Sequence, residues 1–113
     1  MPAPHRLTFA AACLMTAMAA PAGAGTVDSA ECRRDLIVLE TDLSQAQAKL
    51  VNAQDATRTE QCAVWRDQIA TFKKASATYR RCKTGTDRRV LSAQMDSQAL
   101  DFQTAIDQTC KGR

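Results

Sequence analysis

The chain has 113 residues, of which 24% are charged, 45% hydrophobic and 4% aromatic. That composition is neither low-complexity nor that of a disordered segment, and it suits one small domain with a thin, aliphatic core. The only histidine, His5, falls near the start of an expected export signal. The rest of the chain therefore lacks a Ser-His-Asp or Cys-His triad, a His-ligated metal and a c-type haem attachment.

Residues 1–24 carry the three parts of a secretory signal. MPAPHR supplies positive charge through Arg6 and the start amine. Leu7 to about Ala20 is an uncharged apolar run. Pro21-Ala22-Gly23-Ala24 offers small residues for cleavage, expected after Ala24 with Ala22 as the second choice. The run is shorter than the roughly 20 residues of an ordinary membrane span, although an uncut N-terminal anchor is the alternative. Cys13 lies inside the run and is followed by apolar residues, unlike a lipoprotein site. The expected product is residues 25–113, periplasmic or secreted, with no membrane span after signal cleavage.

Four cysteines remain in that product: Cys32, Cys62, Cys82 and Cys110. An even number in a short exported chain points to two disulfides. No CxxC occurs, which argues against a thioredoxin-like redox site or a zinc ribbon. We expect no metal and no cofactor.

From Cys32 the apolar positions are Leu36, Leu39, Leu43, Ala46, Leu50 and Ala53, stepping by threes and fours as a helix does. Asp28-Ser29-Ala30-Glu31 provides an N-cap and an acidic first turn. A second stripe runs through Cys62, Trp65, Ile69, Phe72, Ser76, Tyr79 and Cys82. A third runs through Leu91, Met95, Ala99 (or Gln98), Phe102 and Ile106 to Cys110. The predicted helices cover about 28–56, 59–82 and 87–110. Between the second and third, Gly85 is expected to end one helix and Thr86 to cap the next. Between the first and second there is no Gly or Pro. Thr57 with Glu60 makes an acceptable capping box there, but one continuous helix over 28–82 stays open.

The cysteine spacing tests these arrangements. In an antiparallel three-helix bundle, the residues from Cys62 to Cys82 span about 30 Å, while bridged Cα atoms lie about 6 Å apart. Cys32 must then pair with Cys82, and Cys62 with Cys110. In the continuous helix, Cys32 and Cys82 stand about 75 Å apart and bond only between chains, whereas Cys62–Cys110 still forms. The fold expected is all-α: a small antiparallel, coiled-coil-like three-helix bundle pinned by two disulfides.

Charge is unevenly spread. Residues 25–57 hold three cations and six anions, residues 58–83 seven cations and two anions, and the remainder four of each. Acidic helix one beside basic helix two explains their pairing without a ligand. The three-helix arrangement also gathers Arg33, Arg34, Arg80, Arg81, Lys83, Arg88 and Arg89 at one end. Arg88 and Arg89 occupy the first turn of helix three, where the helix dipole favours anions. A local rule broken in this way marks a candidate anion- or partner-binding pole.

Trp65, Phe72, Tyr79 and Phe102 lie on the apolar stripes and are expected in the core. Nine glutamines, from Gln45 to Gln108, are expected mostly on outer faces. No paired carboxylates, Gly-rich phosphate loop or GxSxG motif appears, so no catalytic residue is assigned and an enzyme is not expected. Low net charge and export argue against nucleic-acid binding. The functional expectation is a non-catalytic binding protein that contacts another envelope protein or an anionic ligand, with self-association open through the heptad-like stripe. The alternative is a disulfide-stabilised stress or chaperone-like factor.

Overall fold

The computed structural model describes residues 27–111, so the expected export signal lies outside the described residues. Three helices account for most of that span: α1 (Ala30–Asn52), α2 (Arg58–Cys82) and α3 (Gly85–Thr109). No strand occurs among the described residues, and no helix there is long and apolar enough to cross a membrane.

Local chemistry sets the helix ends. The Ser29 hydroxyl accepts the Cys32 N–H at 3.0 Å and opens α1. α1 stops at Asn52, four residues short of the expected end, and Ala53–Thr57 turn the chain. The side chain of Gln61 holds that turn by donating from Nε2 to the carbonyls of Ala53 and Gln54, both at 3.1 Å. The expected capping box then starts α2: Glu60 N–H donates to the Thr57 hydroxyl, and Thr57 N–H to the Glu60 carboxylate. These bonds are what separate α1 from α2, and the continuous helix over 28–82 does not form.

The second turn corrects the expected roles of Gly85 and Thr86. α2 ends at Cys82, and Lys83 and Thr84 are extended. Gly85 does not terminate α2. It is the first residue of α3, with φ +57°. A side chain is disfavoured in that left-handed region, and glycine enters it without cost. Thr84, not Thr86, takes the N-cap position, and its side chain makes no cap hydrogen bond.

Two disulfides join the helices at opposite ends. Cys32–Cys82 links the start of α1 to the end of α2, with Cα atoms 5.3 Å apart. Cys62–Cys110 links the start of α2 to the end of α3, at 6.0 Å. Each closes a loop of about 50 residues, for which the chain-entropy treatment gives up to about 4 kcal/mol.

α2 is the shared middle of the bundle. It packs on both α1 and α3, whereas α1 and α3 nowhere bring Cα atoms within 8 Å of each other. The core is built from Leu39 of α1, Phe72 and Ala75 of α2, and Met95 and Ala99 of α3. Leu43, Tyr79 and Phe102 pack against it half-buried. The Phe72 and Phe102 rings stack with centroids 5.8 Å apart. Of the four aromatics expected in the core, Phe72 is buried, while Trp65, Tyr79 and Phe102 keep partial exposure.

Because α2 faces two neighbours, its buried arc is wider than a single stripe. It adds Gln68, Ala75 and Thr78 to the expected positions. Gln68 departs from the outward placement expected of the glutamines: it is 1% exposed, and its Nε2 donates to the Ala46 carbonyl of α1 at 3.0 Å. The Gln68 Oε1 and the Ser76 hydroxyl are buried without a partner.

Candidate anion-binding pole

Cys32–Cys82 brings the start of α1 to the α2–α3 turn, so the seven cations singled out by sequence all lie toward that end. The structure divides them into two sets. Arg33 donates from Nη1 to the Asp28 carbonyl at 2.6 Å. Arg34 lies 3.8 Å from the Asp35 carboxylate. Arg81 meets Asp35 at 2.9 Å and Glu31 at 3.9 Å. Arg80 pairs with Asp96 of α3. Together with Lys74–Asp42, at 3.1 Å, the Arg81 contacts join basic α2 to acidic α1 as the charge pattern implies.

Lys83, Arg88 and Arg89 form the second set. Among the described residues, none of the three has a carboxylate within 4.0 Å. Arg88 and Arg89 are exposed, and Lys83 is half-buried. Arg80, Gly85, Thr86, Arg88, Arg89 and Ser92 line one shallow depression of about 550 Å³. Arg33, Arg34, Arg81 and Lys83 lie outside its lining. The basic pole is therefore not one continuous site: the cations toward α1 have oxygen partners, and Lys83, Arg88 and Arg89 have no carboxylate partner among the described residues.

The backbone adds to the positive potential of the depression. The first helical bond of α3 runs from the Arg88 N–H to the Thr84 carbonyl at 3.2 Å. The N–H groups of Gly85, Thr86 and Asp87 precede it and have no partner within the helix. With Thr84 providing no cap, the positive end of the α3 dipole is offset only by Asp87 in the first turn. An acidic group seated here meets two guanidiniums and backbone donors together.

The opposite pole holds residues that the charge count did not single out. Arg58, Thr59, Cys62, Arg66, Thr109 and Cys110 line a cleft beside the Cys62–Cys110 bridge. The signal was present in the spacing: Arg58 and Arg66 stand one helical turn to either side of Cys62. Nearby, Asp107 accepts from Lys111 at 2.8 Å and from Gln103 at 3.1 Å. Those hydrogen bonds, that of Lys111 first, hold its carboxyl below the usual aspartate value.

No known family model, curated protein or solved structure matches the chain.

Proposed function

We propose that the chain is a small exported helical binding module without catalytic activity, which holds an acidic group of an envelope protein or anionic surface polymer at the α2–α3 turn. The observation that carries this reading is the placement of Arg88 and Arg89, without carboxylate partners, around the uncapped start of α3. A purely structural helix start favours anions there. The remaining cations already have oxygen partners, and of these Arg80 and Arg81 pair across helices and serve the bundle. The Cys32–Cys82 bridge ties the end of α2 beside the turn to α1, which limits the ordering cost of binding.

The test uses wild type and a Lys83→Gln, Arg88→Gln, Arg89→Gln variant, with polyglutamate and polyphosphate as probes. Wild type should bind at least one probe with an affinity that falls as salt rises. The variant should keep its helical circular dichroism and lose about tenfold or more in affinity. Equal binding by the two proteins, or no salt-dependent binding by wild type, overturns the reading.

The wide spacing of α1 and α3 supports a second reading, a stress or chaperone-like factor. Leu43, Tyr79 and Phe102 pack against the core only half-buried. Such a factor should suppress client aggregation after acid or reductant treatment, and inertness under both removes it.

A further inference from the structure

The two disulfides sit in different surroundings. Cys32 and Cys82 are 1% and 2% exposed, and their bridge is closed to solvent. Cys62 is 5% exposed, but its partner Cys110 is half-buried and lies just past the last turn of α3. Both line an open cleft with Arg58, Thr59 and Arg66. Neither arginine has a carboxylate within 4.0 Å among the described residues. Of the acids nearest in sequence, Glu60 sits in the Thr57 capping box and Asp107 bonds Lys111, while Asp67, next to Arg66, does not line the cleft.

From this geometry we propose that the Cys62–Cys110 bridge is a thiol-exchange site for small anionic thiols, and that Cys110 is the sulfur they modify. The carboxylate of such a thiol is drawn to Arg58 and Arg66, which brings its sulfur to the cleft. Its thiolate attacks the Sγ of Cys110, the less buried residue of the pair. A new S–S bond forms between the thiol and Cys110 as the Cys62–Cys110 bond breaks. The bonding pair leaves on the Cys62 sulfur, so one thiolate is consumed and one produced. The incoming thiol is oxidised, and Cys62 is reduced.

Electrostatics selects Cys62 as the leaving group. It has a guanidinium one turn to either side, which favours a thiolate. Cys110 lies at the negative end of α3, where a thiolate is disfavoured. Exchange is faster when the departing thiol is the more acidic one. The proposal is independent of the basic pole, which lies at the other end of the bundle.

The test measures disulfide opening by alkylation trapping and mass spectrometry, with mercaptosuccinate, 2-mercaptoethanol and cysteamine as attacking thiols. Each rate is divided by that thiol's rate on bis(2-hydroxyethyl) disulfide, which removes differences in intrinsic reactivity. Cys62–Cys110 should open first, giving a mixed disulfide on Cys110. The corrected rates should fall from mercaptosuccinate through mercaptoethanol to cysteamine, over about tenfold in all. An Arg58→Gln, Arg66→Gln variant should lose that order, and high salt should erase it in wild type. The proposal is overturned by prior opening of Cys32–Cys82, by rates that ignore thiol charge, or by an order that survives in the variant. If the variant fails to fold, the wild-type salt series decides alone: an order that persists in high salt overturns the proposal.

Discussion

Arg80 and Arg81 are adjacent in sequence and tie α2 to different helices. Arg80 pairs with Asp96 of α3, and Arg81 with Asp35 and Glu31 of α1. The step of about 100° between successive helical residues directs the two side chains to opposite flanks of α2. Each pair is partly solvated, so Arg80→Ala and Arg81→Ala should each cost no more than about 1 kcal/mol in urea unfolding. Double-mutant cycles should find coupling for Arg80 with Asp96 and for Arg81 with Asp35. Coupling of Arg80 with Asp35 should be close to zero.

Gln68 and Ser76 are both buried polar side chains of α2, yet their loss should act in opposite directions. Gln68→Ala removes the donor to the Ala46 carbonyl and leaves a void, at a cost of about 2–4 kcal/mol. Ser76→Ala removes a hydroxyl that has no partner, so it should be neutral or stabilising by about 1 kcal/mol. Paired chemical denaturation curves check both outcomes. A large loss for Ser76→Ala would show that its hydroxyl is satisfied in solution.

Gly85 isolates a backbone effect. Nothing lies within 4 Å of where its Cβ would be, so Gly85→Ala meets no clash. The substitution should still lower stability by about 1–2 kcal/mol, because φ is +57°. Gly85→Asn should cost less, since asparagine tolerates that region better. Thermal melts of the two variants give the comparison.

The two disulfides should differ in what their loss releases. α1 packs on α2 alone, so removing Cys32 and Cys82 together should lower amide-exchange protection chiefly in α1. Removing Cys62 and Cys110 should loosen the ends of α2 and α3 instead. Each double substitution should cost up to about 4 kcal/mol. Uniform loss of protection in either variant would contradict this division.

Asp107 gives a pH reading. Hydrogen bonds from Lys111 and Gln103 lower its pKa, so their contribution is present above the ordinary aspartate value and fades as pH falls through the lowered one. An NMR titration should place its midpoint below the usual aspartate value, and Lys111→Ala should move it upward.

Much of the fold was legible because cysteine spacing and helical geometry constrain each other. The 20-residue interval between Cys62 and Cys82 left one set of bridges for an antiparallel bundle, and both bridges form. The Thr57–Glu60 capping box was also readable, as its two bonds are local. Gln68 was not, because its burial depends on α2 being packed on both sides and on a carbonyl 22 residues earlier. Gly85 was assigned to the correct turn with the wrong role: sequence marks the need for a left-handed residue, but not which helix it joins. The basic pole was visible as a cluster of charges. Its division into paired and free cations was not, since Asp35 and Asp96 reach it from separate helices.

The placement of the bridges also governs how the molecule bears tension. A pull applied at Cys32 and Cys110 passes through one bridge to Cys82, along α2 to Cys62, and through the other bridge. That route contains only the 20 residue steps of α2 from Cys82 to Cys62. Already about 30 Å long as a helix, it reaches only about 70 Å when fully drawn out. The rest of α1 and α3 hangs slack beside it. With either bond reduced, the route runs instead through the 30 residue steps from Cys32 to Cys62 or the 28 from Cys82 to Cys110, and its drawn-out reach grows by about half, to about 100 Å.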